Sequence, residues 1–204
     1  MTFPPADPWV ARLERFLAEG MPAPPPRMPV AVDEIVEVPL AVWQQGDVAA
    51  VLWVERERNS DEVDARVDTF VNAGRWQLAS SGGGSWLGDL DAPIPSGVVA
   101  IMGLTSELRS PSTGGCYGLV GGRVGRDVTA VGYRGPDRRG IVPVVSPIGA
   151  FLVGIEIPAA FGIGPIRSLD GPTDSVLDAM PIQWPLVWGL TPETGPFPKR
   201  PDCP

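Results

Sequence analysis

A chain of 204 residues, 44% hydrophobic and 20% charged, is long enough to bury a real core and has the make-up of a globular protein. It contains no histidine, one lysine and two cysteines, which excludes histidine-based triads and dyads, the usual zinc and haem ligand sets, and a four-cysteine cluster within one chain. The net charge of −8 repels nucleic acid and anionic lipid, and no apolar run approaches the roughly 20 residues of a membrane helix.

In chain order, the first predicted element is a short amphipathic helix over Trp9–Glu19. Asp7 caps it, Pro8 occupies its first turn, and Gly20 stops it. Trp9, Leu13, Phe16 and Leu17 fall at helical spacing, giving an apolar face that docks on the protein's own sheet. The prolines of MPAPPPRMP, residues 21–29, predict an extended linker. Residues 34–43 then alternate: Val36, Val38, Leu40 and Val42 share one face, and Glu37, Pro39, Ala41 and Trp43 the other. QQGD at 44–47 turns the chain into a second strand with Ala50, Leu52 and Val54 on one face. A further hairpin carries Ala65, Val67, Thr69 and Val71 on one arm and Trp76 and Leu78 on the other, with NAG at 72–74 between them. Residues 30–80 therefore read as a four-stranded antiparallel meander, with Pro39 placing its strand at an edge.

SSGGGSW at 80–86 reads as a flexible break. Strand patterns resume in VVAIMGL, YGLVGGRVG, DVTAVGYR at 127–134, IVPVV at 141–145, AFLVGIEI at 150–157 and IRSLDG at 166–171. Glycine and proline, 25 of each, punctuate these runs, as they do in sandwiches and barrels. The fold class is thus mainly β: a short N-terminal helix, a four-stranded antiparallel meander, then a β-sandwich-like (Ig-like) region. The divisions fall at 1–29 for the helix and linker, 30–92 for the meander, 93–190 for the sandwich-like region and 191–204 for a Pro-rich tail.

GRWQLASSGGGSW, and GLVGGRVGRDVTAVGYRGPDRRGIVPVVSPIGAFLVGIE followed by IRSLDG, resemble segments of uncharacterised actinobacterial proteins. In those, a Trp-bearing strand runs into a Gly cluster and a small β-sandwich follows. The resemblance covers about residues 74–171. It implies architecture and a bacterial origin, and it brings no catalytic residues.

Chemistry is sparse. Asp89 and Asp91 in GDLDAP, beside Trp86, are the most suggestive carboxylate pair for glycoside chemistry or Ca²⁺, yet Asp beside Gly and Pro is ordinarily a turn residue. SSGGGS lacks the GKS/T ending of a phosphate loop, and GGRVGRD lacks the GxGxxG register; both read as flexible strand connections. No catalytic residue, metal ligand or cofactor site is assigned. Cys116 and Cys203 read as reduced thiols in a cytoplasmic protein without a signal peptide.

Charge is segregated. Residues 30–92 carry twelve acids against four arginines, whereas residues 93–204 carry nine charges of each sign. The most basic spot is RGPDRRG with Arg134, Arg138 and Arg139, a hairpin tip able to receive an acidic partner. Trp184 and Trp188 flank PLV in QWPLVWGL, as expected for a buried closing strand or for an interface. Together with Asp89 and Asp91, these residues form the candidate partner surface. The expected function is a non-catalytic accessory protein that recognises another protein, or a second copy of itself, and not nucleic acid or a membrane. One alternative is an immunity or inhibitor protein whose acidic meander neutralises a basic toxin or enzyme. A further alternative is a carboxylate-based carbohydrate-active enzyme or carbohydrate-binding module.

Overall fold

The computed structural model describes residues 7–29, 35–56, 63–85, 90, 92–101, 107–134, 139–144, 146, 148–157, 167–168 and 186–192. Helix α1 spans Pro8–Glu19. Asp7 Oδ1 accepts a hydrogen bond from Trp9 N at 2.9 Å, and Gly20 leaves the helix at φ 89°. The expected helix is therefore present with both of its end signals.

The meander is also present. Strands β1 (Val36–Gln45), β2 (Val48–Arg56), β3 (Val63–Asn72) and β4 (Trp76–Ser85) pair antiparallel in that order, with β1 at one edge. Two details depart from the sequence reading. The register of β1 against β2 shifts between Pro39 and Ala41, so one extra residue reverses the alternation. Val38 and Leu40 lie on the same side as Ala41 and Trp43, while Val42 turns to the helix side. The second departure is SSGGGS, which is strand and not a break: Ser80 to Ser85 pair with Thr69 back to Asp64. Partner hydrogen bonds, which no local pattern displays, carry this Gly-rich stretch through the sheet.

Two further sheets follow. The middle sheet contains β5 (Val99–Ile101), β6 (Glu107–Arg109), β7 (Cys116–Val124) and β10 (Ala150–Ile157), with β7 paired to the other members. The outer sheet has the order β11 (Arg167–Ser168), β12 (Leu186–Leu190), β8 (Ala130–Arg134), β9 (Arg139–Pro143). Both glycines of GGRV lie inside the buried central strand β7, and the connection begins only at Gly125. The reason is steric: a Cβ on Gly122 would come within 2.1 Å of Ala100 O on β5.

The layers stack in the order helix, first sheet, middle sheet, outer sheet. Leu13 and Phe16 pack on Ala49, Val51, Trp53 and Phe70. The opposite face of the first sheet, with Leu40, Leu52, Val54 and Val67, meets Leu119, Tyr117 and Leu152 of the middle sheet. The other side of the middle sheet, with Val120, Phe151 and Val153, meets Val131 and Val187 of the outer sheet, giving the expected sandwich. Each fully buried Leu, Val or Phe contributes on the order of 2 kcal/mol of apolar burial. Covering by the helix explains why β2 is buried through Val54 on both faces.

Candidate functional site

Of the five acids of the meander among the described residues, four are engaged inside the molecule: Glu37, Asp47, Glu55 and Asp68. On the helix side of the first sheet, Glu37 on β1 stands directly opposite Glu55 on β2, a like-charge pair that alone would be unfavourable. Arg66, on β3, resolves it. Its guanidinium lies 2.8 Å from Glu37 and 2.7 Å from Glu55, and its Nε lies 3.1 Å from Asp68. Arg12 of the helix reaches Glu37 at 2.7 Å, and Arg66 also stacks over the Trp9 ring at 4.4 Å. Ser81 donates to Asp68 at 2.7 Å.

Burial raises the pKa of Asp68 and of Glu55, against the lowering effect of Arg66 on both. Burial also works against the charge of Arg66, but Asp68, Glu37 and Glu55 outweigh it and hold its pKa above the usual value. Asp47, in the β1–β2 turn, accepts from Ser110 Oγ at 2.6 Å and from Ser112 N at 2.8 Å. These bonds depress its pKa and tie the first sheet to the loop after β6. The sequence signal for the network was the alternation Asp64, Arg66, Asp68, which sets opposite charges on one strand face.

Arg134 and Arg139 close the β8–β9 pair, directly opposite one another. Strand β12 lies on the other side of β8, with Leu186 at the register of Arg134 and Trp188 at the register of Gly132. Val131, Val142 and Val187 face the middle sheet, and Ile141, next to Val142 on β9, lies on the other side of the outer sheet. Ile141 is 38% exposed. Tertiary structure thus brings Arg134, Arg139 and Trp188, distant in sequence, onto one sheet. Arg138, Trp184, Asp89 and Asp91 lie outside the described residues, as does Cys203; Cys116 is buried in β7.

A groove that the sequence reading did not anticipate opens at the other end of β8 and β9. It has a volume of about 700 Å³ and is lined by Pro24, Pro26 and Pro93, by aliphatic side chains, and by Arg123 and Arg126. Its floor is tied by backbone bonds from Val124 N to Gly149 O, from Gly125 N to Val98 O, and from Thr129 N to Leu190 O. Arg123, 4% exposed, donates from Nη2 to Leu90 O at 2.8 Å. Asp127, next to Arg126 in the chain, accepts from Ser96 Oγ at 2.5 Å and from Gly97 N at 3.0 Å, and these bonds lower its pKa.

Among the described residues no cluster of His, Cys, Asp or Glu is placed to hold a metal ion, and no helix is long and apolar enough to cross a membrane. Comparisons with protein-family models, curated proteins and solved structures find no match to this chain.

Proposed function

We propose that this chain is a non-catalytic recognition protein that binds an acidic protein partner through the outer side of its third sheet. The observation that carries this reading is the direct pairing of Arg134 with Arg139. Two like charges at opposed positions of an antiparallel pair cost stability. In the first sheet the neighbouring strand answers such a pair with Arg66; in the outer sheet the neighbouring strand offers Leu186. A partner carboxylate would supply a counter-charge to this pair, with Ile141 and Trp188 providing adjacent apolar positions. The meander is the weaker partner surface, because Glu37, Glu55, Asp68 and Asp47 are already engaged internally.

The test uses the full chain with a photo-crosslinking residue at position 141. Cross-linking to a partner is expected to fall with added salt and to vanish in an Arg134→Glu, Arg139→Glu variant that remains folded. Cross-linking that survives both changes, or that occurs only from the meander, would remove the basis of this reading.

A further inference from the structure

The groove beside Gly125 combines an apolar wall with a one-signed set of charges. Among the described residues its lining holds Arg123 and Arg126 and no carboxylate, and its volume of about 700 Å³ falls within the range of small-ligand sites. Arg126 is exposed at this groove, in the turn that leaves β7. Ser146 also lines it, and its Oγ is buried without a hydrogen-bond partner among the described residues. A buried hydroxyl left unsatisfied is costly unless something completes it. Ser146 is held close to the arginine-bearing turn: Gly149 N donates to Ser146 O at 3.0 Å, and Val124 N donates to Gly149 O at 2.9 Å. Pro24 and Ser146 also line a second, smaller recess of about 350 Å³ with Phe151 and Leu152, so the apolar surface continues past the hydroxyl.

We infer that this groove binds an amphipathic monocarboxylate, its apolar chain lying against Pro93, Ile94 and Val128 and its carboxylate accepting from the Arg126 guanidinium and the Ser146 hydroxyl. Charge complementarity selects the headgroup. A primary ammonium would face the like charge of Arg126, and an alcohol would forgo the charge-assisted bond. The site is separate from the partner face of the outer sheet, lying at the opposite end of β8 and β9 from Arg134 and Arg139.

The experiment titrates the ¹⁵N-labelled full chain with octanoate, octanol and octylamine below their aggregation concentrations. Octanoate is expected to shift the amide signals of Gly125, Arg126 and Gly149, and to bind at least roughly tenfold more tightly than octylamine. Arg126→Gln should reduce the affinity for octanoate to that for octanol, Ser146→Ala should weaken octanoate alone, and Ile94→Trp should block both. Arg75→Gln, on the exposed β3–β4 turn, should leave binding unchanged. Circular dichroism confirms the fold of each variant. Equal binding of the three ligands, shifts scattered over the surface, or octanoate binding indifferent to Arg126→Gln would overturn the inference.

Discussion

The first and the outer sheet each set two like charges directly across a strand pair, Glu37 against Glu55 in one and Arg134 against Arg139 in the other. In the first sheet the third strand supplies Arg66, the helix adds Arg12, and Trp9 and Trp53 close over the guanidinium groups. Among the described residues the outer sheet is the last layer of the stack, and the strand beside Arg134 contributes Leu186 at the adjoining position. The difference teaches that a tally of charges along a chain is not a map of charge available to a partner. Four of the five described acids of the meander are engaged internally, whereas the near-neutral segment sets two arginines directly opposite one another at the end of a strand pair.

The largest effect that would sharpen this contrast comes from Arg66→Ala. It leaves Glu37, Glu55 and Asp68 without their shared cation and should cost about 3 kcal/mol at neutral pH, measured by urea unfolding. Part of that loss should return on acidification as the carboxylates take up protons; a loss below about 0.5 kcal/mol would show that the network is solvated and the contrast false.

Next comes Phe70→Ala, which opens the helix-side core and should cost about 3 kcal/mol, against less than about 1 kcal/mol for Ile141→Ser on the outer sheet. Equal costs would indicate that Ile141 is covered.

A smaller effect of opposite sign is expected from Arg134→Glu. It converts the like-charge pair to an attractive one and should stabilise the chain by about 0.5 kcal/mol while weakening partner capture. Destabilisation would show that Arg134 already serves an internal contact.

The smallest effect is a pH dependence. Asp47 is held below the ordinary carboxylate range by Ser110 and Ser112, so its contribution is complete above that range and is lost as pH falls through its lowered value. The melting temperatures of wild type and Asp47→Asn should therefore converge on acidification. Asp68 and Glu55, raised by burial, act in the opposite sense: their ionised forms are penalised in the fold, and their contribution improves as pH falls from neutral through the raised values.

By itself the sequence determined helix α1 with its Asp7 and Gly20 ends, the meander turns, the edge position of the Pro39 strand and the span of β10. Caps, turns and alternation are local, because each depends on dihedral preferences and side-chain period within a few residues. Tertiary structure alone decided the bulge after Pro39, the pairing of SSGGGS, the burial of Gly121 and Gly122 in β7, and the groove at Arg126. It also decided which charges find a counter-ion. The sequence marked Arg134, Arg139 and Trp188 as notable, but their union on one sheet, and the enclosure of Arg66 by three carboxylates, depend on which strands lie side by side. Pairing over such distances is set by hydrogen-bond register and layer packing, and neither leaves a trace in any short window of residues.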